Sequence, residues 1–263
     1  MICFFASLLV FSLWKLWTIA SAYRAGREHY DALGHYITIT DHNGEASAPF
    51  EDGTSEESGV AKDSVDLSAW PQVDFVQLSK INPDIVGWIY IEGTDINYPI
   101  VQGKDNSYYL NRLFDGSYNG SGSIFMDYRC ASDFSGRNSV IYGHHMGDKS
   151  MFGGLVNYKK QEFYDAHSVA LLVTPDAYYK LQIFSGYVSN TKGDAWELSF
   201  SDYEFISWLH DIQSRSCFKT DCSPTKTDRI VTLSTCTYEF DSAKFVLHGY
   251  ISEVITNTEA DDA

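Results

Sequence analysis

The chain has 263 residues, of which 44% are hydrophobic and 15% aromatic, and its formal net charge is -16. This length suits one domain, or at most two, with a sizeable buried core. The negative charge argues against nucleic acid as a partner, because nucleic-acid binding rewards a basic surface through counterion release. It also argues against attachment to anionic lipid by surface charge alone.

The first 22 residues form an apolar segment in which Lys15 is the only charged side chain. About 20 apolar residues in a helix span the hydrocarbon core of a bilayer, so the segment predicts a single-pass membrane anchor. A cleaved signal peptide is the alternative, because small residues occupy positions 20–22. Arg24 and Arg27 follow the segment, and the positive-inside rule would therefore put the rest of the chain in the cytoplasm. This bias rests on two charges only.

Residues 23–64 are predicted to contain a juxtamembrane helix, over 23–39, followed by an acidic linker. The stretch 41–64 is acidic, small and polar, and it has too few large apolar residues to offset the entropy of ordering it. The folded domain is therefore expected to cover residues 65–255. Residues 256–263 are expected to form a disordered acidic tail.

Short segments of alternating or helical pattern follow one another through the folded domain. Helical spacing over 74–81 ends at Asn82-Pro83. Strands are then predicted over 86–91, 96–101, 123–128 and 139–142, followed by a hairpin of 170–173 with 178–188. An amphipathic helix over 202–212 precedes two closing strands, 229–233 and 244–251. Many short strands separated by turns predict a mainly β protein, a mixed or antiparallel barrel with added helices.

The five cysteines are Cys3, Cys130, Cys217, Cys222 and Cys236. They contain no C-x-x-C pair, which argues against a zinc ribbon or a thioredoxin-like redox motif. Cys217 and Cys222 are close enough in sequence to close a small disulfide loop, although two ordinary thiols fit the spacing equally well. Because the number is odd, one cysteine must remain unpaired, and Cys236 is the candidate.

Two apolar strands end in residues that can carry acyl-transfer chemistry. One runs through two hydroxyl residues to Cys236, and the other runs through a glycine to His144 and His145. A thiol at a strand end is held rigidly and can be exposed by the loop that follows. An imidazole can move a proton near neutral pH, so a distant Cys and His fit nucleophilic acyl transfer. The alternatives are that Cys236 is an ordinary core cysteine and that the two histidines are exposed loop residues. The sequence has no further cluster of possible metal ligands, so no metal site is predicted.

The segments around these residues resemble class B sortases, the Gram-positive surface-protein transpeptidases. The sequence TLSTC that ends at Cys236 matches the T-L-x-T-C signature of sortases, and YGHHM from Tyr142 with SMFG from Ser150 looks like the class B histidine loop. Four further motifs resemble the same class in the same order: INPDIVGWI from Ile81, NYPIVQ from Asn97, DNSYYL from Asp105 and GSIFMDY from Gly122. The resemblance covers residues 73–252.

This resemblance implies an eight-stranded sortase-type β-barrel with N-terminal helices and a helix before the second-last strand. It also implies an enzyme tethered to the cell membrane, with the catalytic domain outside and facing the cell wall. Carried over by position, Cys236 is the nucleophile and His144 the acid/base. The residues that fall where class B enzymes contact the sorting peptide are Asn106, Leu110, Tyr142, Ser234 and Thr235.

The implied reaction is cleavage of a sorting motif after its threonine. The partner is a surface protein or a pilin, and the thioester intermediate is resolved by an amine from a peptidoglycan cross-bridge or a pilin lysine. No cofactor is implied.

One position departs from the family pattern. Sortases place an arginine on the strand after the cysteine, where this chain has Lys244. Lysine keeps the positive charge but lacks the planar fork that bridges two acceptors at once. Two alternatives therefore stand beside the transpeptidase: a weakly active or inactive sortase-fold protein that binds sorting peptides, and a hydrolytic cysteine peptidase.

Overall fold

The computed structural model describes residues 2–38 and 70–256. The predicted acidic linker, the predicted domain start at residue 65 and residues 257–263 of the predicted tail lie outside these ranges. The helices are α1 (Ile2–Leu33), α2 (Phe75–Ile81), α3 (Gln161–Ala166) and α4 (Asp202–Ser214). The strands are β1 (Ile37–Thr38), β2 (Gln72–Val73), β3 (Ile85–Tyr90), β4 (Asn97–Val101), β5 (Ile124–Met126), β6 (Asn138–Tyr142), β7 (Val169–Val173), β8 (Ala177–Asn190), β9 (Ile230–Cys236) and β10 (Ala243–Thr256).

Eight of the strands close into a barrel in the order β10-β8-β7-β3-β4-β5-β6-β9, with β9 pairing β10 to complete the ring. The β4–β5 and β6–β9 pairs are parallel, and the other neighbours are antiparallel. The predicted mainly β, eight-stranded barrel is thus confirmed, as is the helix before the second-last strand. Closure leaves the barrel without the unpaired edges that an open sheet exposes.

Alternate residues of β9 enter two different hydrophobic clusters. Val231 and Leu233 belong to the large central cluster, whereas Ile230 belongs to a second cluster under α4. The helix contributes its buried stripe of Phe205, Trp208, Leu209 and Ile212 to that second cluster. Because strand side chains alternate between faces, Cys236 belongs to the same face of β9 as Ile230. Helix α4 therefore covers the face of the sheet whose far end carries the cysteine.

Helix α1 docks on the barrel through its C-terminal half. The Tyr30 hydroxyl donates to the carbonyl of Gly122 at 2.6 Å, and the Asn119 amide donates to the carbonyl of Ala22 at 3.0 Å. An ion pair between Arg27 and Asp148 adds a third contact.

The helix predicted over 23–39 ends earlier than expected. The chain leaves α1 at Leu33, passes through a short 3₁₀ turn at Gly34–Tyr36, and forms β1, which pairs with β2. Glycine is a poor helix former, and β-branched Ile37 and Thr38 favour a strand, which accounts for the difference.

The described residues, 2–38 and 70–256, contain no helix that combines the length and the apolar character needed to cross a membrane. The predicted membrane anchor over residues 1–22 is therefore not supported.

Four cysteines, Cys130, Cys217, Cys222 and Cys236, are free thiols. The small disulfide loop between Cys217 and Cys222 that the spacing allowed is not formed.

We expect the N-terminus of α4 to depend on a capping box. Ser201 accepts a hydrogen bond from the Glu204 backbone, and its own N–H donates to the Glu204 carboxylate at 2.8 Å. Ser201→Ala should lower the free energy of unfolding by about 1 kcal/mol, as loss of an N-cap does elsewhere. Urea unfolding measures this change. The exposed Ser207 on the same helix is the matched control, and an equal loss in Ser207→Ala would contradict the capping argument.

Candidate active site

The parallel pairing of β6 and β9 brings two strand ends to one edge of the barrel. Tyr142 lies opposite Ser234, and the Gly143 N–H donates to the Ser234 carbonyl at 3.1 Å. His144 and Cys236 each lie two residues beyond that last pair. Residues that are more than 90 positions apart in sequence are therefore held at the same edge by the sheet itself.

The neighbouring strand β10 places a positive charge, the Lys244 ammonium group, beside Cys236. Lys244 on β10 is the direct cross-strand partner of Cys236, and its Nζ donates to the Cys236 Sγ at 2.9 Å. An ammonium group at this distance stabilises negative charge on the sulfur. The lysine in the family's arginine position thus contacts the thiol directly.

One cleft of about 260 Å³ lies at this edge. All eight residues predicted as catalytic or substrate-binding line it: Asn106, Leu110, Tyr142, His144, Ser234, Thr235, Cys236 and Lys244. Phe125 and Gly143 complete the lining and were not predicted. Phe125 belongs to an apolar strand, and its sequence gives no sign that its ring faces a cleft.

Two predicted substrate-binding residues on β9 are almost fully buried. Ser234 is 3% exposed, and its hydroxyl accepts a hydrogen bond from the Trp196 indole at 3.1 Å. Thr235 is 2% exposed, and its hydroxyl has no hydrogen-bond partner among the described residues. Trp196, in the connection between β8 and α4, was not singled out by sequence because nothing local links it to Ser234.

His144 is held by the opposite wall of the cleft. Its Nε2 lies 2.6 Å from the carbonyl oxygen of Leu110. A carbonyl only accepts hydrogen bonds, so Nε2 carries the proton in this contact. His144 makes no hydrogen bond to Cys236 within the described part of the chain.

The approach of Leu110 to His144 depends on the absence of a side chain at Gly122. This glycine has a φ of 60°, in the left-handed region that favours glycine. A Cβ at this position would lie 2.6 Å from the Leu110 carbonyl oxygen and 3.0 Å from the His144 ring. The glycine that opens the GSIFMDY motif therefore makes room for the contact that holds His144.

The second histidine has a different role. The Nδ1 of His145 lies 2.7 Å from the carbonyl oxygen of Cys236, so this nitrogen is the donor. The His145 ring also packs edge-on against Tyr238, with centroids 5.1 Å apart. Because successive side chains on an extended chain point to opposite faces, one histidine faces the cleft while the other fixes the backbone of the cysteine.

Beyond the cleft wall, Asp127 is a buried carboxylate that no sequence argument identified. It accepts hydrogen bonds from Arg129, from Asn106 at 2.9 Å and from Tyr142 at 3.0 Å. Burial would raise the pKa of the Asp127 carboxyl, but these hydrogen bonds outweigh it and hold that pKa at about 2. Burial, together with the neighbouring Asp127 charge, raises the pKa of the Tyr142 hydroxyl. Asp127 is therefore ionised, and Tyr142 is a neutral hydrogen-bonding group, at any physiological pH.

A second polar cluster lies behind β9, under α4. The Asn138 amide nitrogen donates hydrogen bonds to two backbone carbonyls, and the Asn138 oxygen accepts a hydrogen bond from the Thr232 hydroxyl at 2.7 Å. The Nδ1 of His248 therefore donates to the Thr232 oxygen, at 2.9 Å. Burial lowers the pKa of His248 to about 3, so the imidazole is neutral.

No three or more His, Cys, Asp or Glu side chains within residues 2–38 and 70–256 are grouped so that they could hold a metal ion.

Comparison with known proteins identifies the family. The model of the sortase domain matches residues 89–252, more than half of the chain. Sortase B of Staphylococcus aureus is 42% identical over 163 residues, covering 62% of this chain and 67% of the relative. Sortase B of Listeria monocytogenes is 33% identical over 232 residues, covering 87% of this chain and 89% of the relative.

Solved structures agree with this family. The Staphylococcus aureus sortase B–substrate complex superposes with a TM-score of 0.65 at 39% identity, covering 69% of this chain and 84% of that one. The chain belongs to the sortase family. Within it, the similarity to sortase B makes this protein a class B sortase, a cysteine transpeptidase.

His248 is expected to make the stability of the barrel depend on pH. Its pKa falls from an ordinary 6.5 to about 3 on folding, so the unfolded chain binds the proton more readily. Stability should therefore fall as the pH drops from about 7 towards 3, by up to about 1.4 kcal/mol per pH unit from this group.

Substitution at His248 tests this prediction. In His248→Gln the loss of stability between about pH 6 and pH 4 should be less steep than in the wild type, because the buried imidazole is gone. Urea unfolding across this pH range measures it, with the exposed His210→Gln as the matched control. An unchanged slope in His248→Gln would show that other groups dominate.

Proposed function

We propose that Cys236 is the nucleophile of this sortase, that His144 moves the protons, and that Lys244 stabilises the negative charge on the sulfur. The contact of the Lys244 Nζ with the Cys236 Sγ at 2.9 Å, inside the cleft that His144 also lines, supports this assignment most directly. The same lysine is near the position where a tetrahedral oxyanion would form beside the sulfur.

The proposed substrate is the sorting motif of a surface protein or pilin, cleaved after its threonine. The Cys236 thiolate attacks the threonine carbonyl carbon, a C–S bond forms, and the scissile C–N bond breaks. The departing amine takes its proton from His144. The amine of a peptidoglycan cross-bridge or a pilin lysine then attacks the thioester, gives its proton to His144, and releases the Cys236 thiolate as the new amide forms.

In the proposed mechanism, His144 keeps its contact with Leu110 during both transfers. Its Nε2 is engaged by the Leu110 carbonyl, which leaves Nδ1 as the ring nitrogen that gains and loses the proton. The neutral ring then accepts from the incoming amine, and the imidazolium donates to the leaving amine.

The proposed substrate contacts follow from the cleft lining. Asn106, Leu110 and Tyr142 line the cleft together with Ser234 and Thr235, which precede Cys236 on β9. Sortase B of Staphylococcus aureus has been solved as a substrate complex, which supports substrate binding by the same domain of this chain. We assign the catalytic domain to residues 65–255 and place it outside the cell, facing the wall that supplies the acceptor.

A peptide-library assay on the full chain tests the proposal. We expect cleavage after threonine, and with triglycine added we expect the new product to be the triglycine amide, identified by mass spectrometry. Cys236→Ala should reduce the rate to background, because no thioester can form. If the peptide is cleaved but the product does not change when triglycine is added, the protein is a peptidase. Peptide binding without any product would indicate an inactive sortase fold.

Removal of the Lys244 charge should reduce catalysis. Lys244→Met keeps a flexible side chain of similar length but leaves the sulfur and the oxyanion without a cation, so kcat/KM should fall about 100-fold or more. Steady-state kinetics on the cleaved peptide measures this, with Lys192→Met as a control at an exposed lysine of the β8–α4 connection. A change of less than about threefold would remove Lys244 from the catalytic assignment.

Replacement of Lys244 by the family arginine should have the opposite effect. The guanidinium can donate to the sulfur and to the substrate carbonyl oxygen at once, so Lys244→Arg should raise kcat/KM by about tenfold, the equivalent of one added charge-assisted hydrogen bond. A lower kcat/KM in this variant would show that the site is built around lysine.

A further inference from the structure

The carboxylate of Asp127 lies behind the cleft wall and does not line the cleft. Asp127 follows β5 directly and is 0% exposed. Its charge is balanced by Arg129, whose Nε and Nη2 donate to the two carboxylate oxygens at 2.9 and 2.8 Å. The Arg129 backbone N–H adds another hydrogen bond at 3.0 Å. The Arg129 side chain is 50% exposed, but the Asp127 carboxylate is fully buried and is held in one geometry, because any rotation would leave its charge without these donors.

Two residues of the cleft wall are attached to this carboxylate. Asn106, from the connection between β4 and β5, donates through Nδ2 at 2.9 Å, and Tyr142, at the end of β6, donates through its hydroxyl at 3.0 Å. The Asn106 oxygen in turn accepts from the Tyr128 N–H at 3.0 Å. Asp127 thus joins two separate segments that both border the cleft.

A carboxylate only accepts hydrogen bonds, so it fixes the polarity of both neighbours. The Tyr142 proton is committed to Asp127, which leaves the Tyr142 oxygen as an acceptor. The Asn106 amide is oriented with its nitrogen towards Asp127, and its second N–H remains as a donor. The pair therefore offers one donor and one acceptor, the complement of a peptide group with its C=O and N–H.

We infer that Asp127 is a positioning residue: it orients the Asn106 amide and the Tyr142 hydroxyl so that together they bind one peptide group of the extended substrate. This inference rests on the proposed function, because it takes the substrate to be a peptide that occupies the cleft. Asp127 itself does not touch the substrate. It acts before binding by fixing the donor and acceptor in advance, which lowers the entropic cost of binding.

A double-mutant cycle tests the inference with the peptide that the full chain cleaves. Asp127→Asn replaces a carboxylate oxygen by an amide N–H, which faces the donors of Arg129, Asn106 and Tyr142. The orientation of Asn106 and Tyr142 is then lost, so KM should rise by about 10- to 100-fold, with kcat changed by less than about threefold. Asn106→Ala with Tyr142→Phe should raise KM by a similar factor. In that double variant, Asp127→Asn should raise KM less than about twofold further, because nothing remains for it to orient.

The controls separate positioning from folding. Asp133→Asn replaces an exposed carboxylate near the same strands and should leave KM unchanged. Thermal unfolding of every variant reports stability, which Asp127→Asn should lower less in the double variant, where the hydrogen bonds of Asn106 and Tyr142 to Asp127 are already absent. If Asp127→Asn raises KM by the same factor with and without Asn106 and Tyr142, Asp127 acts only on the fold, and the inference is overturned.

A second measurement does not require Asp127→Asn to fold. Substrates in which single peptide groups are replaced by esters lack one N–H at a time. One such ester should raise KM about tenfold in the wild type, the value of one hydrogen bond, and should have no effect in Tyr142→Phe. The inference is overturned if every ester has the same effect on both enzymes.

The same data separate this inference from the proposed function. If Asn106→Ala and Tyr142→Phe leave KM unchanged while the peptide is cleaved, the proposed substrate-binding residues are wrong, and the inference falls with them. If these variants raise KM but show no coupling to Asp127, the proposed function stands and only the inference is overturned.

Discussion

The parallel pairing of β6 with β9 is the constraint on which the site depends. It closes the barrel and sets the register in which Tyr142 lies opposite Ser234. The residues that follow each strand, His144 and Cys236, therefore reach the same edge without any local sequence signal that joins them. A slip of one residue in this register would turn every side chain of β9 to the other face and move Cys236 away from the cleft. The hydrogen bond of the Thr232 hydroxyl to the Asn138 oxygen opposes such a slip, because it joins the two strands across this register.

Around the β6–β9 pair, the polar groups of the site are held by hydrogen bonds within the protein. The Leu110 carbonyl holds His144, the His145 ring holds the Cys236 carbonyl, and Asp127 holds Asn106 and Tyr142. In each contact, one partner is a carbonyl or a carboxylate, which can only accept a hydrogen bond. The reacting side chains thus meet the substrate with their donors and acceptors already chosen, which is the arrangement that electrostatic preorganisation requires.

Much of this could be predicted from the sequence, and the reasons for the rest are physical. Alternating apolar patterns located the strands from β3 to β10, because a half-buried strand needs that pattern, and strand-end positions singled out Cys236 and His144. The contacts of His144 with Leu110 and of Asp127 with Tyr142 were not predicted, because they join segments that only the closed barrel brings together. The sequence also could not show that Lys244 lies opposite Cys236, since that depends on the length of the turn between β9 and β10. The end of α1 was missed because propensity at Gly34 competes with the helical pattern around it.

The placement of Lys244 opposite Cys236 has a consequence for how such enzymes diversify. Both residues belong to the hydrogen-bonded ladder, so their separation is set by the sheet and by the length of the turn, and not by the side chains of that turn. That turn carries Tyr238, which is 78% exposed and packs against His145. Evolution, or a designer, can therefore exchange residues 238–241 within a turn of the same length while Cys236 and Lys244 stay in place. The hairpin separates the geometry of this pair from the sequence of the turn that joins it.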